Sequence, residues 1–314
     1  MRVGAIDCGT NSIRLLVADV DGPHLDEVVR EMTVVRLGEG VDRTGAFSKE
    51  ALDRTFAACD AYAATIDGLG VERLRFVATS ASRDVSNREA FIDGVRARLG
   101  LAPEVISGAE EAGLSFRGAV EGLPGDRVAM PTLVVDIGGG STEFVLGDRH
   151  GDGAVAVEAA VSVNIGCVRM TERHLHGDPP TAEEIARVEA DVAAALDEAA
   201  AAVPLERARS LVGVAGTVTT LVALIHGLPV YDPSEIHGRE ATLDQIDEVT
   251  ERLLVMPRAE RAELPVMHPG RVDVIGGGAL VLRAIMRRTG LPVLASETDI
   301  LDGVARSLAD APSG

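Results

Sequence analysis

Eight residues, Asp136-Ile137-Gly138-Gly139-Gly140-Ser141-Thr142-Glu143, combine three consecutive glycines with a carboxylate at each end. Such a turn carries no Cβ, so its amide N–H groups can converge on an anion such as a phosphate. The two acids could then hold a divalent cation against that phosphate. A glycine-rich hairpin with no ligand is the other reading of these eight residues. A second copy of the design lies near the N-terminus. There Asp7-Cys8-Gly9-Thr10-Asn11-Ser12-Ile13-Arg14 shares the Asp, the Gly two residues on and the Ser five residues on. Two turns of one design imply two related domains, which could clamp one phosphate-bearing ligand from opposite sides.

The elements that must position these turns repeat as well. Three β-like runs open the chain, at Val3 to Ile6, Ile13 to Ala18 and around Val28 to Leu37. Leu52, Phe56, Cys59, Tyr62 and Ile66 then recur at helical spacing from about Ser48. Arg75 to Thr79 reads as a strand, and Ser86-Asn87-Arg88-Glu89 as a capping box opening a helix. Val105-Ile106 reads as a short strand, and Gly108 leads into a helix with Glu110 and Glu111 in its first turn. A loop with Gly122, Pro124, Gly125 and Pro131 marks a domain boundary.

The order βββαβαβα then begins again. Strands are expected at 132–137, 142–147 and 154–163, and a helix capped by Thr181 with Glu184 runs to about Ala202. A strand at 210–214 and helices from Thr217 and Thr242 follow. Gly276-Gly277-Gly278 reads as a close backbone approach where a helix starts, before a strand at 293–295. Domains are thus expected at 1–125 and 126–314, with the final helix, about 298–311, able to pack back onto the first.

Composition narrows the function. A chain of 314 residues, 46% hydrophobic, can fill two ordinary cores. No apolar run reaches a membrane span and no basic leader opens the chain, so the expectation is a soluble cytoplasmic protein with no membrane partner. A net charge of −19 opposes general nucleic-acid binding. Cys8, Cys59 and Cys167 show no metal-ligand spacing and read as core, and the scattered histidines fit no metal helix. Lys49 is the only lysine, which rules out a Gly-Lys-Ser/Thr phosphate loop. Phosphate recognition would fall to arginine, backbone amides and a metal.

The two turns resemble the phosphate loops of the acetate and sugar kinase, heat-shock chaperone and actin superfamily. Within it, the chain is similar to the exopolyphosphatase and guanosine pentaphosphate phosphohydrolase family. Beyond the two turns, the resemblance rests on Ala78-Thr79-Ser80-Ala81-Ser82-Arg83, Ile106-Ser107-Gly108-Ala109-Glu110-Glu111-Ala112, Asn164-Ile165-Gly166-Cys167-Val168-Arg169 and Gly213-Val214-Ala215-Gly216-Thr217. It implies an α/β fold of two ribonuclease-H-like, actin-like ATPase domains flanking an interdomain cleft. Longer members carry further C-terminal helical domains, so this chain looks like the short two-domain form, and Ser82 stands where many members have leucine.

The resemblance also assigns roles. Glu111 matches the family's catalytic position and would deprotonate the attacking water, with a pKa raised by burial and neighbouring carboxylates. Glu110 stays open as the alternative, because adjacent helical residues point about 100° apart. Asp136 and Glu143, with Asp7 contributing through water, would hold Mg²⁺, for which Mn²⁺ could substitute. The amides of Gly138, Gly139, Gly140 and Ser141, with Thr10, Asn11 and Ser12, would cradle phosphates. Arg83 can fork onto a phosphate, or instead pair with Asp84 or Glu89. Gly216 and Thr217 would add amides at a helix N-terminus, and Arg169 is either a ligand or a solvated strand-end charge. The implied enzyme is a hydrolase of phosphoric anhydrides, an exopolyphosphatase acting on inorganic polyphosphate, with short chains favoured. Guanosine pentaphosphate hydrolysis, phosphate transfer from ATP and non-catalytic sensing of polyphosphate or an alarmone are the alternatives. Members are often dimers, so the resemblance allows a homodimer.

Overall fold

The computed structural model describes residues 1–22, 24–83, 85–149 and 155–310. Residues 154 and 311, expected to open a strand and to close the final helix, lie outside them, as does Asp84. The chain divides into two compact units, one comprising Met1–Gly118 with the chain from Ile300 onward, the other Ala119–Asp299.

Unit 1 runs β1 (Arg2–Cys8), β2 (Ser12–Asp21), β3 (His24–Val34), α1 (Val41–Thr44), α2 (Lys49–Leu69), β4 (Arg73–Ala78), α3 (Ser80–Arg83), α4 (Arg88–Leu99), β5 (Glu104–Val105) and the start of α5 (Gly108–Gly122). Its sheet has the order β3-β2-β1-β4-β5, antiparallel across β1, β2 and β3 and parallel across β1, β4 and β5. Strand alternation sends Ile6, Cys8, Ile13, Leu15 and Val17 to one face, against Cys59 and Tyr62 of α2 and Phe91 and Val95 of α4. Val3, Ala5, Leu16 and Ala18 take the opposite face. What covers that face comes from the far end of the chain: Ile300, Leu301, Val304, Ala305 and Leu308 of α13 (Ile300–Asp310).

Unit 2 takes the end of α5 and continues through β6 (Thr132–Ile137), β7 (Thr142–Arg149), β8 (Val155–Val163), α6 (Cys167–His174), α7 (Ala182–Ala202), β9 (Ser210–Val214), α8 (Ala215–Ile225), α9 (Pro233–Ile236), β10 (Glu240–Ala241), α10 (Leu243–Val255), α11 (Arg258–Ala262), α12 (Ile275–Thr289) and β11 (Val293–Ala295). Its sheet order is β10-β11-β9-β6-β7-β8. Read from the other edge, β8-β7-β6-β9-β11 repeats the unit 1 arrangement strand for strand, with the same directions, and β10 is added outside. The duplicated α/β fold expected from the turns is present. No helix among the described residues is long and apolar enough to cross a membrane.

Three local expectations are revised. The boundary expected at 125/126 falls at 118/119, inside α5, because the loop that follows is tied into unit 2. Arg127 donates to Gly238 O at 2.8 Å and Ser210 Oγ to Ala129 O at 2.8 Å. The capping box at Ser86 does not form. Asn87 takes the N-cap place without a side-chain cap, its amide exchanging two hydrogen bonds with the Phe47 backbone while Ser86 Oγ bonds Gly45 O. Arg169 lies on α6, a helix too short to show a period in sequence, rather than at a strand end.

Candidate active site

Both turns close with the same hydrogen bond: Gly9 N–H donates to Ser12 O, and Gly138 N–H to Ser141 O, each at 3.0 Å. Their flanking registers also agree. Asp7 stands opposite Arg14 across β1 and β2, and Asp136 stands opposite Glu143 across β6 and β7. Residues directly opposed on antiparallel strands share one face, with Cβ atoms roughly 4.5–5.5 Å apart. In unit 1 the pair is an ion pair, Arg14 donating to Asp7 Oδ2 at 2.7 and 3.2 Å. Unit 2 has two carboxylates instead, both buried. Glu143 is held in place by Ser141 Oγ at 2.7 Å and Ser162 Oγ at 2.6 Å, both donating to its Oε1.

This difference separates the two turns chemically. In unit 1 a carboxylate opposes a guanidinium, whereas in unit 2 two carboxylates, Asp136 and Glu143, oppose each other. Among the described residues no three His, Cys, Asp or Glu side chains gather into a protein cage for a metal. Two hard oxygen donors on rigid strands fit Mg²⁺, an ion that takes one or two carboxylates and fills its remaining positions with water and substrate phosphate.

The glycine turn is oriented by its carbonyls. Gly138 O accepts from Cys167 N–H at 3.0 Å, Gly139 O from the amides of Val168 and Arg169 at 2.9 and 3.0 Å, and Gly140 O from Arg169 Nε at 2.6 Å. In a trans peptide the C=O and the following N–H point in opposite directions. Fastening three successive carbonyls to α6 therefore turns the amides of Gly139, Gly140 and Ser141 away from it. These amides donate to no backbone acceptor among the described residues. Arg169 thus acts on the turn from behind.

Gly166, just before α6, makes the close approach possible, since a Cβ there would lie 2.5 Å from Gly139 O. Gly166→Ala is expected to cost about 2 kcal/mol by forcing that contact apart and to lower kcat/KM through the displaced turn. Urea unfolding and steady-state rates check this; an unshifted unfolding midpoint would show that the contact yields freely.

In unit 1, Thr10 is buried with its Oγ1 3.0 Å from Ser80 Oγ, and Asn11 O accepts from the amides of Val35 and Arg36. Asn11 and Ser12 are half-buried on the same turn. Glu110 and Glu111 part company as the helix requires. Glu110 is half exposed and receives Arg75 at 2.7 Å, while Glu111 is buried and receives Arg83 Nη2. A guanidinium therefore stands beside Glu111. Of the two protein partners expected for Arg83, Asp84 lies outside the described residues and Glu89 is not the one it takes; it pairs with Glu111, and its Nε has no hydrogen-bond partner among the described residues.

Gly216 and Thr217 open α8 directly after β9, the turn being made by Ala215 at φ 69°. A Cβ on Gly216 would meet the Arg271 guanidinium at 2.4 Å, and one on Gly278 would meet Thr217 Oγ1 at 2.5 Å. Gly276, Gly277 and Gly278 are buried within α12, and the close backbone approach expected there is against α6 and Thr217. Cys167, which opens α6, contacts Thr217, and burial pushes its thiol up to about 11, so it is a packed thiol and not a nucleophile. Arg14, Ser80, Ser162 and Arg271 escaped the sequence reading. Arg14 had a signal, as the residue matching Glu143 in the repeated eight, and Ser80 lay within the Ala78 to Arg83 stretch.

The sequence pattern of the Ppx/GppA phosphatase family matches residues 16–291. The chain is 51% identical to exopolyphosphatase 2 of Mycobacterium tuberculosis (strain ATCC 25618 / H37Rv), over 98% of each chain. Its structure is similar to the crystal structure of an exopolyphosphatase-like protein (TM-score 0.93, 45% identity, 98% of this chain and 100% of that one). It is also similar to the Ppx/GppA family member of Aquifex aeolicus (TM-score 0.82, 30% identity, 100% of this chain and 99% of that one).

Proposed function

The chain belongs to the Ppx/GppA phosphatase family, and from that we propose that it is an exopolyphosphatase, releasing orthophosphate from the end of inorganic polyphosphate with Glu111 as the base. The observation that carries the assignment of the base is the separation of the two glutamates, one turned out to Arg75 and one buried against Arg83.

The reaction needs a positioned water, a held terminal phosphate and charge neutralisation on the transferred group. Glu111 takes a proton from water as the water oxygen bonds to the terminal phosphorus. The bond from that phosphorus to the bridging oxygen breaks, and the bridging oxygen leaves with the shortened chain. Arg83 exchanges its Glu111 partner for the terminal phosphate, which frees the carboxylate to accept the proton at the moment substrate is in place. Each unit brings its own phosphate donors: in unit 1 the turn from Thr10 to Ser12, and in unit 2 the amides of Gly139, Gly140 and Ser141 with the first turn of α8 at Gly216 and Thr217. Asp136 and Glu143 would hold Mg²⁺, or Mn²⁺ in its place, which when bound neutralises charge on the substrate oxygens. Asp7, already paired with Arg14, is left a contribution through water.

Purified protein with Mg²⁺ and defined short polyphosphates, guanosine pentaphosphate or ATP in separate reactions tests the reading by phosphate release. Release from polyphosphate well above that from ATP is the expected result. Release from guanosine pentaphosphate alone would move the substrate to the alarmone. No release from any of them, with binding retained, would make the protein a sensor.

A further inference from the structure

We propose that Arg75 is a positioning residue for Glu111, acting through Glu110. The proposal rests on the reading of Glu111 as the base. Alternation along β4 puts Arg75 on the same face as Arg73 and Val77, the face that α13 covers. From there its guanidinium reaches three elements of unit 1 at once. It donates to Glu104 Oε2 of β5 at 2.8 and 3.0 Å, to Glu110 Oε1 of α5 at 2.7 Å and to Ser307 Oγ of α13 at 3.0 Å.

The bond to Glu110 matters because of where α5 begins. Its first two residues, Gly108 and Ala109, have no side chain able to fix the helix end. The Ser107 side chain supplies one weak cap, accepting from Glu110 N–H at 3.2 Å. The buried residues that seat the helix, Ala112, Phe116 and Ala119, all lie beyond Glu111. Beyond that cap the turn is held by the Glu111 pair with Arg83, which substrate would draw away, and a first turn with so few tethers frays. Glu110 and Glu111 are separated by about 100° around the axis, so a guanidinium that pins Glu110 outward sets the direction in which Glu111 points inward. Both acids that meet Arg75 are about half exposed, and ion pairs of that kind contribute little to stability. The planar fork serves to fix a direction, which a lysine at this place would not do.

A mutant cycle tests this. Arg75→Met and Glu110→Gln are each expected to lower kcat on short polyphosphate about tenfold through a misdirected base, with KM held within about twofold. The double variant should lose no more than the worse single, because both remove one interaction. Ser307→Ala, which takes from Arg75 only its bond to α13 and otherwise costs the bond of Ser307 Oγ to Val304 O, should keep kcat. Additive losses in the double variant, a change carried by KM, or an equal loss in Ser307→Ala would overturn the proposal. Should Arg75→Met fail to fold, Glu110→Gln at its half-exposed site still decides between the outcomes. Amide hydrogen exchange in the first turn of α5 gives a readout that does not depend on activity, expected to quicken about threefold in both single variants. Unchanged exchange overturns the positioning role even if Glu111 proves essential, whereas full turnover by Glu111→Gln removes the base assignment and leaves the exchange result standing.

Discussion

Glu111→Gln is expected to lower kcat for phosphate release about 10³-fold, the scale of a lost general base. KM should change little. The amide keeps the size of the side chain and can still meet Arg83, so the fold of α5 and the binding of phosphate persist while the proton acceptor is gone. The loss should also appear in single-turnover experiments, which separate chemistry from product release. Glu110→Gln makes the contrast. Its side chain faces Arg75 and solvent, so its replacement removes a direction and not an acceptor, and the loss should be a hundredfold smaller. If the two variants exchanged these sizes, Glu110 would be the base and the buried pairing of Glu111 with Arg83 would be structural.

The second large effect is expected at the paired carboxylates. Asp136→Asn should raise the Mg²⁺ concentration for half-maximal activity about a hundredfold. The substitution removes a full charge but almost no volume, and it leaves Glu143 held by Ser141 and Ser162. A dication that met two opposed carboxylates then meets one. Calorimetric titration of Mg²⁺ in the absence of substrate provides a second measure of the same affinity. Asp7→Asn is expected to leave the Mg²⁺ titration near its original midpoint, since Arg14 already matches that charge. Equal shifts in the two variants would mean that the repeat is chemically symmetric and that Arg14 does not neutralise its partner.

The duplicated architecture was legible because the repeated Asp, Gly and Ser sit at hairpin turns, where spacing alone fixes geometry. The same spacing also held the division of labour between the turns, since Arg14 and Glu143 occupy one register position with opposite charge. The facing of Glu110 and Glu111 could not be read, because a helix must be seated on its core before adjacent residues acquire an inside and an outside. Helix α6 was illegible for a different reason. Eight residues span little more than two turns, too few for apolar periodicity to rise above chance. Nor could the support of Glu143 by Ser162 be foreseen, for it depends on how β8 registers against β7. The triple glycine of α12 runs against helix propensity, and only its packing against Cys167, Thr171 and Thr217 explains it.

Helix α13 belongs to the first unit although the whole of unit 2 precedes it in the chain. Until it emerges from the ribosome, the face formed by Val3, Ala5, Leu16 and Ala18 lacks Ile300, Leu301, Val304, Ala305 and Leu308, and has only Ile106 and Leu114 from outside the sheet's strands to cover it. Unit 2 is contiguous from Ala119 to Asp299 and can close its core first. Unit 1 is therefore completed only after unit 2 has been made, and until then its sheet keeps a partly uncovered apolar face, the kind of surface that favours aggregation during folding.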